Sequence, residues 1–146
     1  MKKQLSKHER EEFQERIAPF LTLDKKDSVE DAGKRWLVNN QSAFIEIDGT
    51  LIPHLRFLLT KPLLKQVVVD MGAVKFVTSG ADIMRPGIKE FAAGIMKDEL
   101  VVVVDLNNKK PLAVGRMLFS GEEAQAMDKG KVIKNLHWVG DEFWNA

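Results

Sequence analysis

The chain has 146 residues, 45% of them hydrophobic, and sets 22 basic against 21 acidic side chains for a net charge of +1. That length suits one ordinary domain or two very small ones, and the apolar fraction is enough for a core, which excludes wholesale disorder. The lack of cysteine removes disulfides, thiolate metal sites and cysteine nucleophiles, and the near-neutral balance argues against a protein that coats nucleic acid by bulk charge.

The first residues, Met1 to Leu5, run straight into Lys7, Glu9, Arg10 and Glu11, with no apolar stretch that would make a signal peptide or a membrane span. A cytoplasmic protein is expected. Ser6-Lys7-His8-Glu9 is a capping box, followed by Phe13, Ile17 and Phe20 at helical spacing, so a helix is predicted from about Ser6 to Ala18, limited by Pro19. Its charged residues Arg10 and Arg16 are read as solvated. From Asp27 to Asp48 the pattern turns to strands. Arg35 to Val38, with Trp36 as a core residue, and Ala43 to Ile47 flank the turn cluster Asn39-Asn40-Gln41-Ser42, and Asp48-Gly49 is a second turn. After Pro53 the spacing of Leu55, Leu58 and Leu59 predicts a helix within His54 to Leu64, ending before Pro62.

A region of different texture begins at Val67. A strand over Val67 to Val69 is followed by two helical turns from Ala73 to Ser79, closed by Gly80. Ile83 to Ile88 reads as strand and Pro-Gly turn, Leu100 to Leu106 as a strand apolar on both faces, and Pro111 to Phe119 as a strand in which Gly115 marks a bulge or a close backbone approach. Ser120-Gly121-Glu122-Glu123 is a second capping box, opening a helix that Gly130 can cap. Lys131 to Leu136 is a last strand. Short strands with single-turn helices predict a small mixed barrel.

The motifs of catalysis are missing. There is no G-x-S-x-G, Gly130-Lys131 lacks the rest of a P-loop, and Asp70-Met71-Gly72 is one loop where an aspartic dyad needs two. His8, His54 and His137 are far apart in the chain and show no metal-ligand spacing. No enzyme, metal or cofactor is expected.

The segment Val68-Val69-Asp70-Met71-Gly72-Ala73-Val74, continuing through Thr78-Ser79-Gly80-Ala81-Asp82 to Pro86-Gly87-Ile88, resembles the start of a PUA domain. The later pieces match in order. They are Pro111 to Gly115, Ser120 to Gly130, and the closing His137-Trp138-Val139-Gly140-Asp141-Glu142-Phe143-Trp144. One departure is Lys97-Asp98, where the family pattern has glycine before the aspartate. Phe44 to Gly49 with Ile52 to Arg56 resembles the segment that precedes the PUA domain in the malignant-T-cell-amplified-sequence family and its archaeal relatives, with His54 where threonine is commoner.

The resemblance implies an α+β fold, with a small N-terminal module over residues 1–66 packed on a PUA-type mixed β-barrel over 67–146. It further implies recognition of structured RNA, ribosomal or transfer, in translation initiation or ribosome biogenesis. The expected partners are the small ribosomal subunit and a translation factor. The implied RNA-binding residues are Lys75, Ser79, Gly80, Ala81, Arg85, Pro86, Lys131, Lys134 and His137. Glycine at 80 would let a backbone approach, the four cations would meet phosphates, and His137 would stack on a base or bond a phosphate. Asp82 is read as a loop brace, since a carboxylate repels phosphate. Residues 1–65 carry 12 basic and 10 acidic side chains and the remainder 10 and 11, so any grip on RNA must be a local patch. A second reading stays open: an adaptor that docks a translation factor, with RNA contact secondary.

Overall fold

The computed structural model describes residues 2–145. They fall into two compact units that part between Leu63 and Leu64.

In the first unit, β1 (Lys3–Gln4), β2 (Val29–Asp31), β3 (Arg35–Val38), β4 (Gln41–Ile47) and β5 (Thr50–Pro53) make an antiparallel sheet in sequence order. Helix α1 (Lys7–Ile17) starts on the capping box of Ser6 and Glu9, as its sequence predicts. The two turns fall where they are read, though the first is only Asn39-Asn40, since Gln41 and Ser42 already belong to β4. Asn39 and Asn40 have φ of 51° and 65°, and Asp48 and Gly49 have φ of 51° and 79°. Positive φ at both central positions matches the twist of the flanking strands. Phe13, Ile17, Trp36, Phe44 and Phe57 form the centre of the core, with the Phe13 and Trp36 rings stacked 5.9 Å apart. Arg16 departs from its solvated reading: its guanidinium lies 5.4 Å over the Trp36 ring and bonds Glu46 at 2.9 Å. Arg10 likewise holds a loop, donating to the Asp24 carbonyl.

Helix α2 (Leu55–Leu58) is shorter than the spacing suggests. The Thr60 hydroxyl donates to the Phe57 carbonyl, and Pro62 has no N–H to offer Leu58, so the ladder stops. His54 is the N-cap, fully buried, its Nδ1 accepting from the Arg56 amide at 3.0 Å. Threonine does the same job at helix starts, which explains how the two residue types share this position.

The second unit is one six-stranded mixed sheet. Its strands are β6 (Gln66–Val69), β7 (Ile83–Met84), β8 (Ile88–Phe91), β9 (Leu100–Asp105), β10 (Pro111–Met117) and β11 (Lys131–Trp138), in the order β7-β11-β10-β9-β6-β8. Among the described residues only β6 and β9 pair in parallel. The two edge strands, β7 and β8, are joined by the 3-10 turn Arg85–Gly87 alone. Val67, Val69, Val101, Val103, Met117 and Ile133 lie in the core. All of β9 is buried, as its doubly apolar sequence requires. Gly115 shows both features read for it. The register shifts between Val114 and Gly115, and a Cβ there would lie 2.3 Å from Ile133 Cγ2 and 2.8 Å from the Lys134 carbonyl oxygen. Lys97 stands outside the left-handed region. Asp98 takes the positive φ, 68°, so lysine in place of glycine strains nothing.

Helix α3 (Val74–Val77) follows a 3-10 turn over Met71–Ala73, and α4 (Gly121–Gln125) starts on the capping box of Ser120 and Glu123. The expected cap of α4 at Gly130 is not there. The helix tightens into i→i−3 bonds, Ala126 to Glu123 and Met127 to Ala124, and Gly130, at φ +100°, belongs to the turn into β11. The strands β1, β5 and β8 carry no alternating pattern of their own and are not foreseen.

Asp141 holds the closing segment together. Its carboxylate accepts from the amides of Trp138, Phe143 and Trp144, each at 2.9 Å, and lies 2.7 Å from His137 Nδ1. Burial pushes the carboxyl pKa up, but the bonds from His137 and from the Trp138 and Phe143 amides, with the His137 charge, hold it below the ordinary value of 3.8. A carboxylate whose folded pKa is depressed stabilises the fold above its unfolded value and loses that contribution as pH falls through the folded one. Replacing Asp141 with Ala is expected to cost about 2–4 kcal/mol in urea denaturation at pH 7, because several buried donors lose their acceptor. The gap between wild type and variant should narrow as pH falls below the ordinary carboxyl value and through the depressed folded one. Gly80→Ala is expected to cost about 1–3 kcal/mol in the same measurement, since φ there is +92° and the new Cβ would sit 2.7 Å from the Trp138 ring.

Candidate nucleic-acid interface

One corner of the second unit is built from the segment that links β6 to β8. Asp70 caps the 3-10 turn, its Oδ1 accepting from the Ala73 amide at 2.9 Å. Helix α3 then ends in a Schellman arrangement. The Gly80 amide donates to the Val77 carbonyl and the Ala81 amide to that of Phe76, both at 3.1 Å. Because Val77 points into the core and Val74 packs against it, the one-turn helix must turn Lys75 and Phe76 outward. Phe76 is 57% exposed. The corner encloses an open cleft of about 510 Å³, lined by Phe76, Ala81, Met84 and Pro86 together with Asp70 and Asp82.

Asp82 is the brace that the sequence reading made it. Its Oδ1 accepts from the Asn135 amide at 2.8 Å and its Oδ2 pairs with Lys131 Nζ at 2.9 Å. Burial raises its pKa, yet the bonds from Lys131 and the Asn135 amide, with the charges of Lys131 and Lys134, win and leave it lowered. The acid inside the cleft is therefore ionised and locally balanced.

The sequence-selected residues separate into two sets. Lys75, Ser79, Ala81 and Pro86 are exposed around the cleft. Lys75 Nζ lies 5.2 Å over the Phe76 ring, and the Ser79 hydroxyl donates to the Lys75 carbonyl at 2.6 Å. Lys131, opposite Met84 of β7, and Lys134 are exposed on the adjoining β11.

The other set is turned inward. His137 is fully buried, paired with Asp141 and edge-on to Phe143, so it offers no face to a base. Arg85 donates to the carbonyls of Ile88 and Gln125 at 3.0 and 3.4 Å and lies 5.5 Å over the Phe91 ring. Its guanidinium clamps the Arg85–Gly87 turn instead of standing free for phosphate. At Gly80 the close neighbour is the Trp138 ring, which occupies the space a side chain would fill. Phe76 and Met84, the exposed apolar walls, are absent from the sequence selection. The inward spacing of Val74 and Val77 is the signal that exposes Phe76.

Among the described residues no group of three or more His, Asp or Glu side chains converges as for a metal ion, and no helix is long and apolar enough to cross a membrane.

The PUA domain family profile matches residues 65–139. An uncharacterized protein of Methanocaldococcus jannaschii is 44% identical over 84% of this chain and 79% of its own. Translation machinery-associated protein 20 of Eremothecium gossypii is 33% identical over 92% of this chain and 78% of its own. Malignant T-cell-amplified sequence 1 of Rattus norvegicus is 35% identical over 74% and 62%. In three dimensions, the crystal structure of a hypothetical protein from the archaeon Pyrococcus horikoshii superposes with a TM-score of 0.83 at 31% identity, covering 99% of this chain and 98% of that one. The chain therefore belongs to the PUA-domain family, in the group that holds the malignant T-cell-amplified sequence proteins, translation machinery-associated protein 20 and archaeal relatives.

Proposed function

We propose that this chain is a non-catalytic RNA-binding protein whose PUA corner grips structured RNA, ribosomal or transfer, in the cytoplasm. In this reading residues 1–66 are a small α+β module and residues 67–146 a barrel-like PUA domain. The barrel is supported by the three-residue link between the two edges of the six-stranded sheet. The observation that carries the RNA reading is the cleft beside Phe76. It joins an exposed aromatic ring to cations at its rim, the combination that stacks an unpaired base and neutralises the adjoining backbone. Lys75, Lys131 and Lys134 supply those charges, with Ser79, Ala81 and Pro86 shaping the rim. The likeness to translation machinery-associated protein 20 supports a place in the translation machinery, which this reading puts at the small ribosomal subunit, in initiation or ribosome biogenesis.

A second reading is an adaptor for a translation factor. The exposed side chains of Met71, Phe76 and Met84 favour it, since aromatic and methionine side chains are enriched where proteins meet.

Binding of transfer RNA by the full chain, measured over a salt series, separates the two. The RNA reading expects affinity to fall log-linearly with salt. It expects Phe76→Ala to weaken binding by about 1–3 kcal/mol at fixed salt while leaving thermal stability within about 0.5 kcal/mol. Wild-type protein that shows no salt-dependent binding of transfer RNA or of small-subunit ribosomal RNA fragments would overturn the RNA reading.

A further inference from the structure

We infer that the RNA path does not end at the cleft but crosses β11 onto β10, where Arg116 and Lys134 together hold a backbone phosphate. The inference rests on the RNA reading above and adds a residue and a direction to it.

Arg116 and Lys134 are direct partners in the β10–β11 register. Their neighbours in that register, Met117 and Ile133, lie in the core, so by the alternation of a strand the two cations stand on the opposite face of the sheet. Directly opposed residues of an antiparallel pair have Cβ atoms about 4.5–5.5 Å apart, and like charges there repel. A fold that placed these side chains for stability alone would set an acid between them. None is there. Among the described residues the ion pairs of this unit join Lys65 to Glu99, Lys131 to Asp82 and His137 to Asp141, and neither Arg116 nor Lys134 takes part. Asp82 is committed to Lys131 and the Asn135 amide. Glu99 is committed to Lys65 and the Met96 amide. Asp98 meets Arg116 through its main-chain carbonyl, which accepts from Arg116 Nη1 at 3.2 Å and so aims the guanidinium.

The strand pairing gives the direction. Met84 in the cleft wall is paired with Lys131, Lys134 lies three residues further along β11, about 10 Å and past the register shift between Lys131 and Ile133, and Arg116 is the next strand over. A base held against Phe76 would thus have its neighbouring backbone led past Lys131 to the Arg116–Lys134 pair. Anion binding would relieve a repulsion that the free protein carries, and a planar guanidinium beside an ammonium suits a phosphate with two open oxygens.

The test uses the full chain and unfractionated transfer RNA, with affinity measured from low to moderate salt and melting temperature measured alongside. Arg116→Gln is expected to lower the slope of log affinity against log salt by about 0.7–1, the value of one phosphate contact. It is also expected to leave the melting temperature unchanged or raised. Arg116→Lys, which keeps the charge and loses the bond to Asp98, should recover most of the slope. Lys134→Gln, at an exposed position, should lower the slope by a similar amount, and the double variant by less than the sum, since one phosphate is shared. If Phe76→Ala weakens binding while Arg116→Gln and Lys134→Gln keep the wild-type slope, the path across β10 is wrong and the cleft reading stands. If wild-type protein shows no salt-dependent binding, both fall. A drop in melting temperature for Arg116→Gln that Arg116→Lys does not repair assigns Arg116 to the fold, and the inference fails.

Discussion

The corner that carries the candidate site depends on Asn135. Its amide donates to Asp82, and its side-chain nitrogen donates to the carbonyls of Val77 and Ala81, both at 3.0 Å. Three bonds from one buried residue tie the last strand to the end of α3 and to the loop after it, segments more than fifty positions away in the chain. Without them the Ala81 carbonyl would lose its side-chain donor and the Val77 carbonyl would keep only the Gly80 amide, and under-satisfied buried carbonyls are costly. Asn135 reaches them because of the irregularity opposite it. Ala113 pairs with Trp138, Val114 with His137 and Gly115 with Asn135, which leaves Leu136 without a partner in the β10 register. That extra residue lets Asn135 and Trp138 both arrive at the glycine corner, one to bond it and one to pack beneath it.

The charge distribution follows the same economy. The net charge of +1 does not describe the local field at this corner. Two aspartates contribute to the cleft lining, one capping a turn and the other paired with Lys131. Lys75 beside the cleft and Lys134 on β11 are exposed. A nearly neutral protein can thus present a local basic patch where the nearby acids are spent on internal bonds. The arrangement also disfavours phosphate inside the cleft itself and leaves that space to an uncharged, flat group.

Much of the architecture is legible in the sequence where one local rule decides. Ser6 with Glu9, and Ser120 with Glu123, fix helix starts. Asn39-Asn40 and Asp48-Gly49 fix hairpins, and Gly80 and Gly115 mark positions where a side chain has no room. The site is less legible because its residues are sorted by tertiary partners. His137 looks available in the linear chain, but Asp141 four residues later folds back and buries it. Arg85 follows a recognisable motif, yet the carbonyl of Gln125, forty residues away, takes one of its donors. Phe76 is not singled out in the sequence, and it is exposed because Val74 and Val77 claim the inner face of a helix too short to bury a third side. Strands such as β1 and β8 exist because a neighbour offers an edge, and no periodicity within them announces it.

Trp138 fills the hollow that Gly80 leaves, and Trp36 sits in the aromatic core of the other unit. Each half of the molecule therefore carries its own indole in a tightly defined environment, Trp144 being the third. Ultraviolet emission from chains that retain only one of these chromophores distinguishes the two halves without any attached dye, and it places a native optical reporter directly under the corner where a ligand would land.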